Sequence, residues 1–249
     1  GESVRARVER DDGLLLRSVD YGESDRVLTL LTRESGKLSV LAKGARRSKK
    51  RFAGALEPFS LLRVEIAASR GGLARLESAT ISQAFPKLLR DLPRMTTAGA
   101  MLQLVRELTP DAVADPEGFD DVVQLFAALD RAELSERALS VCFQLQQLAR
   151  AGFSPRLHAC GACAKRPEPG RATDFDARRG YIVCQACGGG AYRLRASTRE
   201  AWLMAAERDF LAAAALEWTP EDLDLAARAL EAFIAHRLER EVPRTQRKG

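Results

Sequence analysis

Two Cys-x-x-Cys pairs, Cys160/Cys163 and Cys184/Cys187, stand twenty residues apart in this chain. A two-residue spacer lets both thiolates of a pair reach one ion from a tight knuckle. Two such knuckles complete a tetrahedral all-sulfur shell, the environment that Zn²⁺ prefers. Four protein ligands leave no open coordination position, so the expected cofactor is one structural Zn²⁺, not a catalytic metal. A matched pair of motifs also argues against redox dithiols, which rarely come in twos. A zinc deaminase would need a His-x-Glu motif, whereas His158 is followed by Ala159 and Cys160. His158 could displace one cysteine as a ligand, but it reads more simply as a surface histidine. The fifth cysteine, Cys142, falls on an apolar helical face and reads as a buried core thiol.

The second chemical feature is cationic. Lys37, Lys43, Arg46, Arg47, Lys49, Lys50 and Arg51 follow one another with no acid between them. Cations at this density match a phosphate backbone, where they displace condensed counterions. The segment after Lys43 is expected to be a flexible loop. Tyr21, Phe52 and Phe59 offer surfaces on which bases could stack, although Phe59 reads rather as core and Phe52 suits either place. The competing reading of the loop is a solvated charge run. Net charge over the whole chain is only +5, but residues 1–80 hold 16 basic and 11 acidic residues, against 23 of each in the remainder. The excess in the first third points to a polyanionic partner there.

Catalysis finds little support. The chain has two histidines, no acidic cluster that suggests a metal pair, and no Gly-x-x-x-x-Gly-Lys-Ser/Thr loop for nucleotide phosphates. Asp11-Asp12 and the Glu23/Asp25 pair read as loop and turn carboxylates. No apolar run reaches the roughly eighteen residues that suggest a membrane span. The opening residues Gly1 to Arg5 are charged and lack an apolar signal segment. A cytoplasmic, non-enzymatic protein with no membrane partner is expected.

The elements that must position these residues change character along the chain. Within 1–80, runs at Val4–Val8, Gly13–Leu16, Val27–Leu31, Leu38–Leu41, Phe59–Ile66 and Leu73–Leu76 alternate as five or six short strands. Glu34-Ser35-Gly36-Lys37 supplies a turn. A small β-barrel follows, with an OB-fold preferred over an SH3-like barrel that alternation alone leaves open. From 85 to 153 the period lengthens towards 3.6. Asp115-Pro116 opens a helix carrying Val122, Val123, Leu125, Phe126 and Leu129, and Leu139, Cys142, Leu145 and Leu148 mark another that stops at Gly152. Residues 154–190 form an insert rich in Gly, Pro, Cys and charge. Helices then resume, with Ser197/Glu200 read as a capping box and Thr219-Pro220 opening the last helix, whose Leu223, Ala227, Leu230 and Ile234 share a face. The organisation is therefore an α+β multi-domain chain. A barrel at 1–80 is followed by a helical domain at 81–153, a zinc insert at 154–190, and the second part of the helical domain at 191–249 with a basic tail at Arg244, Arg247 and Lys248.

Against these elements, the segment Leu14-Leu15-Leu16-Arg17-Ser18-Val19-Asp20-Tyr21-Gly22-Glu23-Ser24-Asp25-Arg26-Val27-Leu28-Thr29 resembles the opening of RecO-family recombination mediators. So do Thr32 to Lys37, Ala42-Lys43-Gly44-Ala45-Arg46-Arg47 and Leu56-Glu57-Pro58-Phe59-Ser60, in family order. The four-cysteine insert inside a helical half agrees more loosely. The resemblance implies an N-terminal OB-fold, a helical bundle and an inserted zinc module. It further implies binding of single- and double-stranded DNA and annealing of complementary strands. The implied partners are RecR, the acidic tail of single-stranded DNA-binding protein (SSB) and, indirectly, RecA, in the cytoplasm at the nucleoid. Lys43, Arg46 and Arg47 lie within the matching motif and take the DNA-contact role from it. Lys49, Lys50 and Arg51 extend that role on charge alone. The alternative function is a zinc-containing protein–protein adaptor whose basic loop is incidental.

Overall fold

The computed structural model describes residues 7–48, 50–52, 54–207 and 209–241. The chain divides into two compact units, one ending at Arg131 and the other starting at Ala132. The boundary falls inside the helical segment expected at 81–153, between its second and third helices.

The first unit begins with five strands: β1 (Val8–Tyr21), β2 (Asp25–Thr32), β3 (Gly36–Ala42), β4 (Leu61–Ala67) and β5 (Ala74–Gln83). Of the run read at Val4–Val8, residues 4–6 lie outside the described residues, and Val8 opens the same long strand that holds Gly13–Leu16. Residues 8–13 of β1 pair with β4 and residues 13–21 with β2, with a register shift between Leu15 and Arg17. The shift lies within the β2 pairing, and such irregularities increase the local twist of a strand. The pairings run β1-β2-β3-β5-β4 and return to β1. β3 and β5 meet in a parallel seam of two residue pairs, Val40/Ala74 and Leu41/Arg75. The sheet thus rolls around a core of Leu28, Leu30, Val40, Leu62, Val64 and Leu76. Alternation along β4 sends Leu62, Val64 and Ile66 to this core. At the β2–β3 turn the Thr32 hydroxyl donates to the Gly36 carbonyl at 2.8 Å and accepts from the Ser35 amide at 3.2 Å. Gly36 has φ 74°, and a Cβ there would lie 2.4 Å from the Val113 carbonyl oxygen, so only glycine fits.

Two helices complete this unit, α1 (Leu92–Leu108) and α2 (Pro116–Arg131). Asp91 caps α1 by accepting from the Arg94 amide. Asp115 accepts from the Gly118 amide at 3.1 Å, which bears out the helix start read at Asp115-Pro116. Phe126 of α2 receives Phe59 and Phe85 edge-on, with ring centroids 5.9 and 5.7 Å away. The Asp130 carboxylate accepts from the amides of Lys87 and Leu88.

The second unit contains α3 (Glu136–Arg150), α4 (Ala196–Ala206), α5 (Phe210–Ala214) and α6 (Pro220–Glu241). Between α3 and α4 lies a three-stranded antiparallel sheet of β6 (Thr173–Asp176), β7 (Tyr181–Val183) and β8 (Tyr192–Leu194), with β6 in the middle. Phe175 of β6 roots this insert among the helices, 5.4 Å from the Trp202 ring and 6.1 Å from Phe233. Phe210 packs edge-on against Phe143 of α3, and its amide donates to the Gln146 side chain at 3.0 Å. α3 ends where Gly152 takes φ 82°. Cys142 is fully buried in α3, and burial pushes its thiol up to about 12.

One expectation about a helix end is corrected. Ser197 does not cap α4; Arg195 occupies that position with no side-chain cap bond, and Ser197 lies inside the first turn. The reciprocal box belongs to α6, where the Thr219 hydroxyl accepts from the Asp222 amide at 3.1 Å and Asp222 accepts back from the Thr219 amide at 3.4 Å. The buried stripe of α6 is Leu223, Ala226, Ala229, Leu230 and Phe233, which leaves Ala227 and Ile234 on its half-buried flank. The basic tail residues Arg244, Arg247 and Lys248 lie outside the described residues. Among the described residues no helix is long and apolar enough to cross a membrane.

Candidate metal centre and nucleic-acid interface

The insert brings the four cysteines of the two motifs together. Their Sγ atoms all lie within 4.8 Å of one another, and His158 is not in the group. Sulfurs held about 2.3 Å from a tetrahedral ion stand about 3.8 Å apart, and the Cys163–Cys184 separation is 3.7 Å. The donor set and its spacing fit a tetrahedral thiolate site. The first knuckle is fastened by Cys160 N donating to the Lys165 carbonyl and Gly161 N to the Ile182 carbonyl, each at 2.9 Å. A Cβ at Gly161 would fall 2.2 Å from the Tyr181 ring, so that ring closes over the turn. In the second knuckle Cys187 N and Gly189 N both donate to the Cys184 carbonyl at 3.0 Å.

Electrostatics within the cluster are uneven. The Cys184 amide, 3.4 Å from the Cys160 sulfur, together with those of Cys163 and Ala162, holds the Cys160 thiol down at about 6. Hydrogen bonds with the sulfurs of Cys184 and Cys163 push Cys187 up to about 12. The ionised form is thus favoured at Cys160 and disfavoured at Cys187.

Sequence reasoning did not single out Asp174, the buried carboxylate beneath the second knuckle. It accepts from the Gln185 side chain, from Gly190 N at 3.3 Å and from Arg193 at 3.0 Å. Its sequence signal, an acid alternating with Asp176 along the short β6 segment, gave no hint of this role.

The basic segment after β3 is a loop, as expected, built largely of turns. Residues 43–48 form successive turns, with Arg47 N and Ser48 N both donating to the Gly44 carbonyl at 3.0 and 2.9 Å. The β1–β2 hairpin fastens them. Asp25 accepts from the Gly44 amide at 2.7 Å, and Arg46 N donates to the Ser24 carbonyl at 3.0 Å. The Arg46 guanidinium donates to the Glu23 carbonyl at 3.1 Å and approaches Asp20 at 3.8 Å. Arg51 donates to the Lys43 carbonyl, with its guanidinium carbon 5.3 Å from the Phe52 ring centroid. Asp25, read as a turn carboxylate, is the first residue of β2 and braces the turn after β3, while Asp11 and Asp12, read as loop carboxylates, lie within β1.

This scaffold leaves Lys43, Arg46, Arg47, Lys50 and Arg51 exposed. Lys43, Arg47 and Lys50 have no side-chain partner among the described residues, and Lys49 lies outside them. Lys37 does not join the group. Its side chain is only 14% exposed, donates to the Arg106 carbonyl at 2.8 Å and pairs with Asp111 at 3.5 Å. A cation there meets the unsatisfied carbonyls and negative end of α1, so its charge is spent on packing. The aromatic expectations divide likewise. Phe52 is 2% exposed in the sheet core and Phe59 8% exposed against Phe126, so neither ring can stack on a base, whereas Tyr21 at the end of β1 is 60% exposed.

Comparison with known proteins agrees over most of the chain. Residues 7–85 match the family described as Recombination protein O N terminal, and residues 89–246 match Recombination protein O C terminal. The chain is 42% identical over 231 residues to the DNA repair protein RecO of Myxococcus xanthus, covering 92% of each. Identity to the protein of that name from Anaeromyxobacter dehalogenans strain 2CP-C is 44% over 233 residues, or 92% of this chain and 91% of the relative. A more distant relative of the same name, from Desulfatibacillum aliphaticivorans, is 32% identical over 237 residues.

Proposed function

The chain belongs to the RecO family of DNA repair proteins, and from that premise we propose that it is a non-enzymatic mediator that binds DNA strands and anneals them. The N-terminal sheet acts as an OB-type barrel, whose β3–β4 connection carries the phosphate-contacting cations. The observation that carries this reading is the placement of Lys43, Arg47, Lys50 and Arg51, exposed on a loop that hydrogen bonds already hold in shape. A prefixed loop loses little conformational freedom on binding. Its cations displace counterions from single- and double-stranded DNA without reading bases. Neutralising two strands lowers the repulsion that slows their pairing, so annealing needs no nucleotide.

In the same reading, Cys160, Cys163, Cys184 and Cys187 hold one structural Zn²⁺ that shapes the insert and supplies no reactive position. The resemblance supports RecR and the acidic SSB tail as partners, through which RecA is helped onto SSB-coated strands, in the cytoplasm at the nucleoid. Fluorescence annealing of complementary oligonucleotides, without nucleotide or divalent metal, tests the reading. Faster pairing with the protein present is expected. Strand cleavage, or a strict need for ATP, would refute it. A protein that leaves pairing unchanged and shows no salt-sensitive DNA binding would instead be the adaptor whose basic loop is incidental.

A further inference from the structure

The even balance of charge after residue 80 conceals a second basic region. Residues 154–195 contain eight basic residues and three acidic ones. Even with four thiolates bound to a dication, a positive excess remains on this small module. Part of that charge rims a cleft of about 380 Å³ beside the cysteine cluster, lined by Lys165, Arg166, Arg171 and Arg193 together with Ile182 and Cys184. All four cations are exposed. Arg193 is half-compensated by Asp174 at 3.0 Å, and Arg171 pairs at 3.4 Å with Glu168, itself mostly exposed. Lys165 and Arg166 have no side-chain partner among the described residues. The backbone under them is fixed, since the Lys165 carbonyl accepts from the amide of Cys160, a residue of the metal-ligand set.

We infer that this cleft on the cysteine insert is a second nucleic-acid site, which takes backbone phosphates of a strand through Lys165, Arg166 and Arg171. The inference rests on the annealing reading for its purpose, because pairing two strands calls for two places to hold them, but not for its test. Three observations favour a nucleic acid over an acidic protein segment. The excess charge spreads over the whole insert instead of one pocket. Its side chains stand in solvent, as phosphate-tracking cations do. Among the described residues that line the cleft, Glu168 is the one acid, and it too is exposed.

The test uses the full zinc-loaded chain and a single-stranded oligonucleotide, with affinity measured across a salt series. Lys165→Ala/Arg166→Ala should flatten the slope of log affinity against log salt by about 1.4, since each phosphate contact contributes about 0.7. Zinc content should stay at the wild-type value. Arg171→Ala, at a side chain 77% exposed and outside both knuckles, should flatten it by about 0.7 and gives a reading should the double variant fold poorly. Annealing should slow in both. An unaltered slope in a folded, zinc-loaded variant overturns the inference. So does loss of binding to a polyglutamate peptide with the DNA slope intact, which would make the cleft a protein-docking site. If the wild-type protein does not anneal at all, the mediator reading fails while the salt slopes still decide the site.

Discussion

Side chains of one type take opposite tasks in this protein according to what surrounds them. Lys37 and Arg47 both belong to the acid-free run between residues 37 and 51. Lys37 is enclosed beneath the end of α1, whereas Arg47 stands in solvent with no side-chain partner among the described residues. They should separate in mutation. Lys37→Ala should cost about 1.5–3 kcal/mol of stability, the usual worth of a hydrogen bond to a charged group, and leave the salt slope of DNA binding unchanged. Arg47→Ala/Lys50→Ala should alter stability by no more than about 0.5 kcal/mol and flatten that slope by roughly 1.4. Chemical denaturation and a salt titration of each variant check both. Arg46 should behave as a mixture, because its guanidinium also holds the β1–β2 hairpin through the Glu23 carbonyl. The cysteines allow a sharper statement. Cys163→Ser should lose the metal, with elemental analysis falling from about one zinc per chain to none.

At the scale of elements, local chemistry was legible and tertiary context was not. Two Cys-x-x-Cys motifs specify their own geometry, so the four sulfurs meet as the spacing requires. The start of α2 and the end of α3 follow from Asp115-Pro116 and Gly152, which act within a turn of themselves. The fate of Lys37 depends on α1, some seventy residues further on, and nothing near Lys37 in sequence announces it. Phe52 could face either way because a single aromatic beside a loop has no periodicity; only the rolled sheet gives it an interior. The same limit hid Asp174, whose partners come from the second knuckle and β8. Charge counted over 1–80 and then over the whole remainder concealed the basic insert, since acidic helices cancel it in the sum. The turn at Gly36 shows how tightly an element can be fixed from a distance. Gly36→Ala would place a methyl 2.4 Å from the Val113 carbonyl oxygen at a φ of 74°. A loss of at least about 1–3 kcal/mol is expected from strain alone, read as a lowered denaturation midpoint.

The molecule as a whole consists of two compact units, and they depend on different things for stability. Up to Arg131 the fold rests on the sheet core of Leu28, Val40, Leu62 and Val64 and on the rings gathered at Phe126, with no cysteine in it. From Ala132 onward the helices share a core with the insert through Phe175, and the insert in turn is shaped by two knuckles whose four sulfurs lie within 4.8 Å of one another. If the four cysteines hold zinc as proposed, metal binding and folding are coupled in the second unit alone. Removing the metal with a chelator should lower the unfolding temperature of that unit and leave the transition of the first in place, seen as one shifted and one unshifted component in calorimetry. Hydrogen exchange offers the residue-level reading. Amides at Gly161, Cys187 and Gly189, which donate to carbonyls within the insert, should lose protection on chelation, while those of β2 and β3 keep theirs. A uniform loss of protection through both units would mean that the metal supports the entire chain. No change anywhere would mean that hydrogen bonds and Phe175 hold the insert without it.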